Sequence, residues 1–258
     1  MSNEQIIIRD HINGEWIQQS QLPTAPLYNP STGAIIGEVP LGSADTSKAA
    51  VAAAAEAFPA WSNTPLPKRM DFIFAMHAAM VNSKEDLAQA IALDQAKHIA
   101  EARGEVQRVI EIIQMACTIP ALIQGETVQG IANGISGRII KAPLGVFCGV
   151  APFNFPALVF GWFIPFAIAT GNTFVYKPST ESPLFMQKMM QLLVDIGLPD
   201  GVVNIVHGDR ETVEAWYDDD NVAGVCLVGS TPTAKAIAEG CGRGGKKTML
   251  LGGAKNFL

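Results

Sequence analysis

The stretch 141–177, KAPLGVFCGVAPFNFPALVFGWFIPFAIATGNTFVYK, decides the fold of this chain. Positions 142–176 contain no Asp, Glu, Lys, Arg or His. A membrane-spanning helix needs about 20 apolar residues in sequence, and this run is interrupted too often to supply them. The interruptions are Pro152, Asn154, Pro156, Gly161, Pro165, Gly171 and Asn172.

The same stretch predicts a strand–helix–strand unit. Residues 144–150 are short and apolar, which is typical of a strand buried on both faces. Residues 157–169 have the length of a helix, with Pro156 suited to its first turn and Gly171 just beyond its end. Residues 173–176 form a second strand. Because functional sites in parallel sheets lie at the carboxyl ends of strands, we expect the loop 151–155 and Lys177 at one edge.

The rest of the chain extends this pattern. Before it, the sequence predicts a hairpin at Asn13-Gly14, another over 27–40, and helices over 43–61, 68–82, 84–94 and 99–116. The helix 68–82 places Met70, Ile73, Phe74, His77 and Val81 on one apolar face. After it, the predicted helices are 182–196, 211–217 and 232–241, and the strands are 202–206, 222–228 and 248–251. This alternation predicts a doubly wound, mostly parallel α/β sheet.

Composition narrows the classes of function. Of the 258 residues, 48% are hydrophobic and 16% are charged, which indicates a globular protein. The net charge of −6 and the absence of a Lys/Arg-rich stretch argue against nucleic-acid binding. The amino terminus lacks a signal peptide's apolar core, and the four cysteines form no CxxC pair. We therefore expect a cytoplasmic protein without a metal site or a membrane partner.

Two strand ends offer candidate binding residues. Gly229-Ser230 follows a predicted strand and begins a helix, so it could present free N–H groups to a phosphate; an ordinary helix N-cap is the alternative. There is no GxGxxG fingerprint after a predicted strand. Lys177 could hold a ribose or phosphate, or it could be a solvated surface lysine.

Two further residues carry candidate chemistry. The side-chain amide of Asn154 could donate to a developing oxyanion, or it could bond its own backbone in a turn. Arg108 could clamp a carboxylate, or it could form a surface ion pair with Glu105 or Glu111.

The cysteines and one histidine are less specific. Cys148 and Cys226 lie in apolar strands and are interpreted as core. Cys241 is close in sequence to Arg243, Lys246 and Lys247, a setting that lowers a thiol pKa, although we interpret it as structural. His207 is compatible with either role.

Taken together, APFNFP, GNTFVYKPS, GLPDGVVNIVHG, VCLVGST and LLGGAKN resemble the aldehyde dehydrogenase superfamily, in this order and at this spacing. The likeness is greatest to its CoA-acylating methylmalonate-semialdehyde branch, and INGEW, NPSTG and GEVQR agree with it. The resemblance implies a single cofactor-binding domain over 1–258, with a small oligomerisation hairpin at about 124–141 and no catalytic domain.

The resemblance also implies roles for individual residues. Asn154 would be the oxyanion-hole amide, and Arg108 would bind the substrate's carboxylate. Lys177 would contact the adenosine ribose, and Gly229 with Ser230 the pyrophosphate. The remaining positions implied along the cofactor are Ala151, Phe153, Thr180, Glu181 and Leu251.

Three departures from the family pattern matter. The nucleophilic cysteine of the family lies beyond the GGAKN turn, and none of the four cysteines here takes its place, so we expect this chain alone to be inactive. Leu251 stands where hydrolytic members carry a glutamate base, which favours transfer to CoA over transfer to water. Thr180 stands where many NAD-using members carry a glutamate that would repel a 2′-phosphate. NAD is therefore the expected cofactor, with NADP left open.

The resemblance implies an enzyme that converts a malonate or methylmalonate semialdehyde, NAD and CoA into an acyl-CoA, NADH and carbon dioxide, as a homo-oligomer. Two alternatives stay open at this point. One is a fragment of a general, non-acylating aldehyde dehydrogenase. The other is a dinucleotide-binding module that catalyses nothing.

Overall fold

The structure, a computed structural model, describes residues 5–19 and 21–253. The first half of the chain contains short strands followed by a series of helices. The strands are β1 Ile6–Ile7, β2 Asp10–Ile12, β3 Glu15–Ile17, β4 Thr24–Asn29 and β5 Ala34–Pro40. The helices are α1 Ala44–Asn63, α2 Leu66–Asn82, α3 Lys84–Gln95, α4 Ile99–Ala116 and α5 Ile119–Leu122.

The second half alternates strands and helices after an initial hairpin. The hairpin consists of β6 Glu126–Ala132 and β7 Ile135–Ile139. The alternating elements are β8 Val146–Val150, α6 Pro156–Ala169, β9 Thr173–Lys177, α7 Leu184–Asp195, β10 Val203–Ile205, α8 Arg210–Glu214, β11 Val222–Val228, α9 Thr231–Arg243 and β12 Lys247–Leu251.

A mixed sheet forms the centre of the fold, in the strand order β12-β11-β8-β9-β10-β2-β3. The first five of these strands are mutually parallel, and the hairpin β2–β3 adds two antiparallel strands beyond β10. The chain runs from β8 outward to β10 on one side and from β11 to β12 on the other, so the strand order reverses between β8 and β11. The predicted doubly wound α/β sheet is confirmed. The sequence did not reveal that the amino-terminal hairpin extends it.

Helices cover both faces of this sheet. One apolar core contains residues of α2, α3, α4, α6 and α7, and a second contains residues of α1, α8 and α9. The separate strands β1, β4 and β5 form a small sheet, which packs on α3 through Leu27, Val39 and Ala90. The strands β8, β9 and β10 are thus buried on both sides, whereas β12 is largely exposed. The strand ends provide the edge at which a ligand can bind.

Local chemistry explains several element boundaries. Asn13 and Gly14 connect β2 to β3 with φ values of 51° and 83°, as a two-residue hairpin turn requires. Ser43 caps α1 by accepting from the Thr46 N–H. Pro156 occupies the first position of α6, and Gly171 turns the chain after that helix with a φ of 90°.

The helix α2 corrects one predicted pattern. Phe74 and Val81, assigned to its apolar face, are 54% and 47% exposed. The predicted Met70 and Ile73 are buried, but the buried stripe continues through Met76 and Met80, on the side of the helix that packs on α4 and α6. The predicted hairpin at 124–141 is present as β6 and β7, and its side chains lie largely in solvent.

Candidate functional site

Three neighbouring parallel strands bring the sequence-predicted residues to one edge. In the order β11-β8-β9, Val150 pairs with Leu227 on one side and with Lys177 on the other. The loop that carries Asn154 follows β8, and Gly229-Ser230 follows β11. The predicted convergence of these strand ends is therefore confirmed.

Lys177 lines a cavity of about 430 Å³ between the strand ends and helices α8 and α9. Its residue exposure is only 8%, and its Nζ donates to the Pro178 carbonyl at 3.3 Å, so the alternative of a solvated lysine is wrong. Burial lowers the pKa of Lys177 to about 8, against the opposing charge of Asp209. The other residues that line the cavity are Val150, Asp209, Arg210, Val213, Tyr217, Pro232, Thr233, Ala236 and Ile237.

Ser230 is the N-cap of α9, directly before Thr231, and it is exposed. Its Oγ accepts from the Thr233 N–H at 3.4 Å and lies 2.9 Å from Thr233 Oγ1. The N-cap role is therefore present. Pro232 has no N–H, and Ala234 donates to the Ser230 carbonyl, so the N–H groups left without a partner among the described residues are those of Ser230 and Thr231. They directly precede Pro232 and Thr233, which line the cavity.

The loop after β8 places three side chains in solvent: Phe153, Asn154 and Phe155. Its backbone is held from two directions. The Phe153 carbonyl accepts from Ser182 Oγ at 3.0 Å, and the Asn154 carbonyl accepts from Lys97 Nζ at 2.7 Å. No hydrogen bond of the Asn154 side-chain amide occurs among the residues that the structure describes, so its donors are available to a ligand.

Arg108 and Glu105 lie on α4 but face different surroundings. Arg108 is exposed and donates to Glu111 at 2.9 Å. Glu105 is buried, pairs with Lys97 and accepts from the first N–H groups of α6. The ion pair predicted for Arg108 therefore involves Glu111 and not Glu105.

Thr180 and Glu181 do not line the cavity that contains Lys177. They border a second cavity of about 570 Å³, together with Phe153 and residues of β4. Of the predicted cofactor residues, Lys177 lines the first cavity, and Phe153, Thr180 and Glu181 line the second. The other four line neither cavity: Ala151, Gly229, Ser230 and Leu251.

The second cavity also contains Asp94, which sequence reasoning missed. Its Oδ2 accepts from the Leu184 N–H at 2.9 Å, and burial raises the pKa of this carboxyl to about 7. Its Oδ1 has no hydrogen-bond partner in the described part of the chain. A signal existed, because Asp94 follows Leu87 and Ile91 on the buried face of α3.

Leu251 ends β12 beside Val228, and its carbonyl accepts from the Gly229 N–H at 3.0 Å. It is 43% exposed, so an apolar side chain stands at the rim of this edge. Ala151 stands at the same edge, where it is buried and donates to the Lys177 carbonyl.

The cysteines and His207 are structural in this fold. Burial raises the thiol pKa of all four cysteines, most strongly for Cys148, and none is in a disulfide. The expectation that nearby cations lower the pKa of Cys241 is wrong, because the desolvation of this buried thiol outweighs Lys246. His207 is buried and contacts Asp10 through Nδ1 at 2.9 Å, which joins β2 to the end of β10.

Two further features of the described residues, 5–19 and 21–253, concern classes of function. No group of three or more His, Cys, Asp and Glu side chains there is arranged to hold a metal ion. No helix there combines the length and apolar character needed to cross a bilayer.

Comparisons with known proteins agree on one family. The sequence profile of the aldehyde dehydrogenase family matches residues 16–258. Malonate-semialdehyde dehydrogenase 1 from Geobacillus kaustophilus is 38% identical over 253 residues, which cover 98% of this chain and 52% of that relative.

Solved structures give the same result. The crystal structure of methylmalonate-semialdehyde dehydrogenase (DddC) from Oceanimonas doudoroffii superposes with a TM-score of 0.93 at 40% identity, covering 97% of this chain and 51% of that one. A putative methylmalonate-semialdehyde dehydrogenase from Sinorhizobium meliloti 1021, complexed with NAD, superposes at 0.94 with 31% identity, covering 99% and 52%. The chain thus spans about half the length of the relatives it matches.

Proposed function

Because this chain belongs to the aldehyde dehydrogenase family, we propose that it is the dinucleotide-binding part of a CoA-acylating malonate- or methylmalonate-semialdehyde dehydrogenase. The observation that carries the proposal is the meeting of Asn154, Lys177 and Gly229-Ser230 at the ends of three adjacent parallel strands. The complete enzyme would convert the semialdehyde, NAD and CoA into an acyl-CoA, carbon dioxide and NADH.

The residues around the Lys177 cavity fit a dinucleotide. Val213, Ala236 and Ile237 provide apolar walls for an adenine ring. Lys177 would donate to the ribose hydroxyls, and the N–H groups of Ser230 and Thr231, at the start of α9, would hold the pyrophosphate. When bound, NAD supplies the hydride acceptor for the reaction.

NAD is the leading cofactor and NADP is the alternative. Thr180 carries no charge that would repel a 2′-phosphate, so NADP could bind in place of NAD. Phe153 and Glu181, which border the neighbouring cavity together with Thr180, would contact the cofactor from that side.

The oxyanion would be stabilised, and the acyl group transferred, at this same edge of the central sheet. The unpartnered Asn154 amide would donate to the oxygen of the aldehyde as negative charge develops on it. Leu251 can neither take nor give a proton, so water would lack a general base at this rim. A CoA thiolate needs no such base, and this supports the acylating assignment over the general aldehyde dehydrogenase.

This chain alone is proposed to be inactive. A thiolate nucleophile needs a lowered pKa and access to the substrate, whereas burial raises the thiol pKa of Cys117, Cys148, Cys226 and Cys241. The nucleophile would have to come from a part of the enzyme that this chain does not contain. All four cysteines are free, which supports a reducing, cytoplasmic compartment.

The β6–β7 hairpin is proposed to join copies of the chain in a homo-oligomer. It projects apolar side chains into solvent, and exposed apolar surface of this kind is typical of an interface. Those residues are Val128, Ile131, Ile135 and Ile139, with Ile140 directly after the hairpin, and all are at least 51% exposed.

A substrate test separates the acylating assignment from the general one. In a longer form that supplies the nucleophile, Arg108→Ala should reduce kcat/KM for malonate semialdehyde by about a hundredfold, the loss of a charged hydrogen-bonded pair. It should leave propanal oxidation unchanged. Arg103→Ala is the matched control, since Arg103 lies on the same helix and binds Glu85. An Arg108→Ala variant whose kcat/KM is unchanged for both aldehydes would refute the carboxylate role, and NADH production by the present chain would refute its inactivity.

A further inference from the structure

Side chains at the junction between α3 and α4 donate hydrogen bonds to the backbone of the loop that carries Asn154. Gln95 donates through its side-chain amide to the Phe153 carbonyl, and Lys97 donates to the Asn154 carbonyl at 2.7 Å. Between them, Ala96 has a φ of 55°, in the left-handed region that residues with a Cβ rarely adopt. An unusual backbone conformation thus separates two side chains that bind consecutive carbonyls of one loop.

Glu105 holds the other end of the same loop. Its Oε1 accepts from the N–H groups of Ala157 and Leu158 at 2.9 and 3.2 Å, in the first turn of α6. Its Oε2 lies 2.6 Å from Lys97 Nζ. The carboxylate therefore occupies the positive end of the α6 dipole while it pairs with the lysine that holds Asn154.

The pair is largely removed from water. The side chains of Lys97 and Glu105 are 15% and 2% exposed. The ammonium group also lies 4.3 Å from the centre of the Phe155 ring. A buried ion pair is costly unless its remaining hydrogen-bonding capacity is satisfied, and here each remaining contact is to the loop 153–155 or to the helix that follows it.

We propose that Lys97 and Glu105 are positioning residues that fix the Asn154 amide in one orientation. The inference rests on the proposed function for the role of that amide as an oxyanion donor. A donor of this kind contributes only when it is already aimed at the charge that develops. The side chains of residues 153–155 are exposed, so the loop has little packing of its own. Gln95 and Ser182 restrain Phe153, and the ion pair restrains Asn154 itself through Lys97.

A cap on α6 would need only Glu105, whereas the structure pairs Glu105 with Lys97 as well. Glu105 alone satisfies the first N–H groups of α6. Lys97 adds nothing to that cap directly, and its contacts are with the Asn154 carbonyl, the Phe155 ring and Glu105. The ion pair therefore couples the start of α6 to the residue that carries the oxyanion donor.

The test compares variants of the present chain by 15N NMR and amide hydrogen exchange. The main variant is the double substitution Lys97→Met with Glu105→Gln, which removes both charges but keeps an acceptor for the α6 amides. The single substitution Lys97→Arg keeps a cation at this position. Lys84→Met is the matched control, because Lys84 is a partly buried lysine of α3 whose Nζ donates to Gln107, away from the loop.

We expect one sharp pair of Asn154 side-chain amide signals in the wild-type chain. The double variant should broaden or split that pair and should accelerate exchange at Ala157 and Leu158 by about tenfold. Lys97→Arg should resemble the wild type, and Lys84→Met should change neither signal. Unaltered Asn154 signals in the double variant, or equal changes in Lys84→Met, would overturn the proposal. Should the double variant not fold, Glu105→Gln alone carries the same expectation for the Asn154 signals.

A catalytic readout separates this inference from the proposed function. In a longer, active form, the double variant should lower kcat by about tenfold while the KM for the aldehyde changes by less than about twofold. If Asn154→Ala left kcat unchanged in that form, the oxyanion role would be wrong whatever the NMR result. If Asn154→Ala lowered kcat and the double variant did not, the positioning role would be wrong.

Discussion

The backbone N–H of Ala151 donates to the carbonyl oxygen of Lys177 across 3.1 Å. This bond continues the β8–β9 ladder past Val150, so that the strand preceding Asn154 and the strand carrying Lys177 end side by side. On the other flank, the Gly229 N–H donates to the Leu251 carbonyl at 3.0 Å and extends the β11–β12 ladder in the same direction. The backbone thus brings these strand ends to one edge before any side chain contributes.

The first prediction concerns the charge of Lys177. Because burial lowers its pKa to about 8, the ammonium form is present below that pH and is lost above it. NAD affinity should therefore fall as the pH rises from 7 to about 9, and Lys177→Met should weaken binding at pH 7 by about tenfold and remove this dependence. Titration calorimetry at several pH values measures both effects. A wild-type affinity that stays constant from pH 7 to 9 would contradict the assignment of Lys177 to the cofactor.

The second prediction separates capping from binding at Ser230. Aspartate is also a good N-cap, so Ser230→Asp should leave the free energy of unfolding within about 0.5 kcal/mol of wild type. Its carboxylate would oppose a pyrophosphate, so NAD affinity should fall by at least about tenfold. Ser230→Ala should cost about 1 kcal/mol of stability and retain most of the affinity. Undiminished NAD binding by Ser230→Asp would place the pyrophosphate elsewhere.

The third prediction concerns Asp94. Its pKa of about 7 in the folded chain lies above its ordinary value of 3.8. Between these two pH values the carboxyl is protonated in the folded state and ionised in the unfolded state. The free energy of unfolding contributed by this group is therefore greatest at low pH and falls as the pH rises from about 4 to 7. Asp94→Asn should flatten the pH dependence across that window in urea unfolding. If Asp94→Asn left the pH dependence of the free energy of unfolding unchanged, the raised pKa of Asp94 would be contradicted.

The fourth prediction tests the packing beneath the site. A Cβ at Gly149, in β8, would lie 2.7 Å from the buried ring of Phe174, so Gly149→Ala should destabilise the chain by about 1–3 kcal/mol. The matched control is Gly104 in α4, where an added Cβ meets nothing within 4 Å. Gly104→Ala should stabilise the chain by about 0.5–1 kcal/mol. Equal effects of the two substitutions in thermal unfolding would contradict the packing of β8 against Phe174.

The sequence was sufficient to predict where β8 and β9 end, because local residue chemistry determines these positions. The apolar run before Pro152, the proline at the start of α6 and the glycine after it mark β8, α6 and β9 without tertiary information. The parallel arrangement follows from the helix between the two strands. Asn154 and Lys177 could therefore be placed at one edge from the sequence alone.

The burial of individual polar groups could not be predicted in the same way. Lys177 follows an apolar strand as many surface lysines do, and its burial depends on α8 and α9, which are distant in sequence. The sequence predicts Glu105 only as a partner of Arg108, although its place between Ala102 and Val109 on the buried face of α4 indicates a buried carboxylate. Lys97 directly follows Ala96, whose φ of 55° is a conformation that no residue pattern indicates, so the pairing of Lys97 with Glu105 could not be predicted.

The central claim is that these strand ends form a dinucleotide site, and titration of the purified chain with NAD tests it most directly. We predict saturable binding at one site per chain, weakened by at least about tenfold in both Ser230→Asp and Lys177→Met. A folded chain that shows no saturable binding of NAD or NADP at concentrations up to about 5 mM, which corresponds to less than about 3 kcal/mol of binding free energy, would contradict the claim.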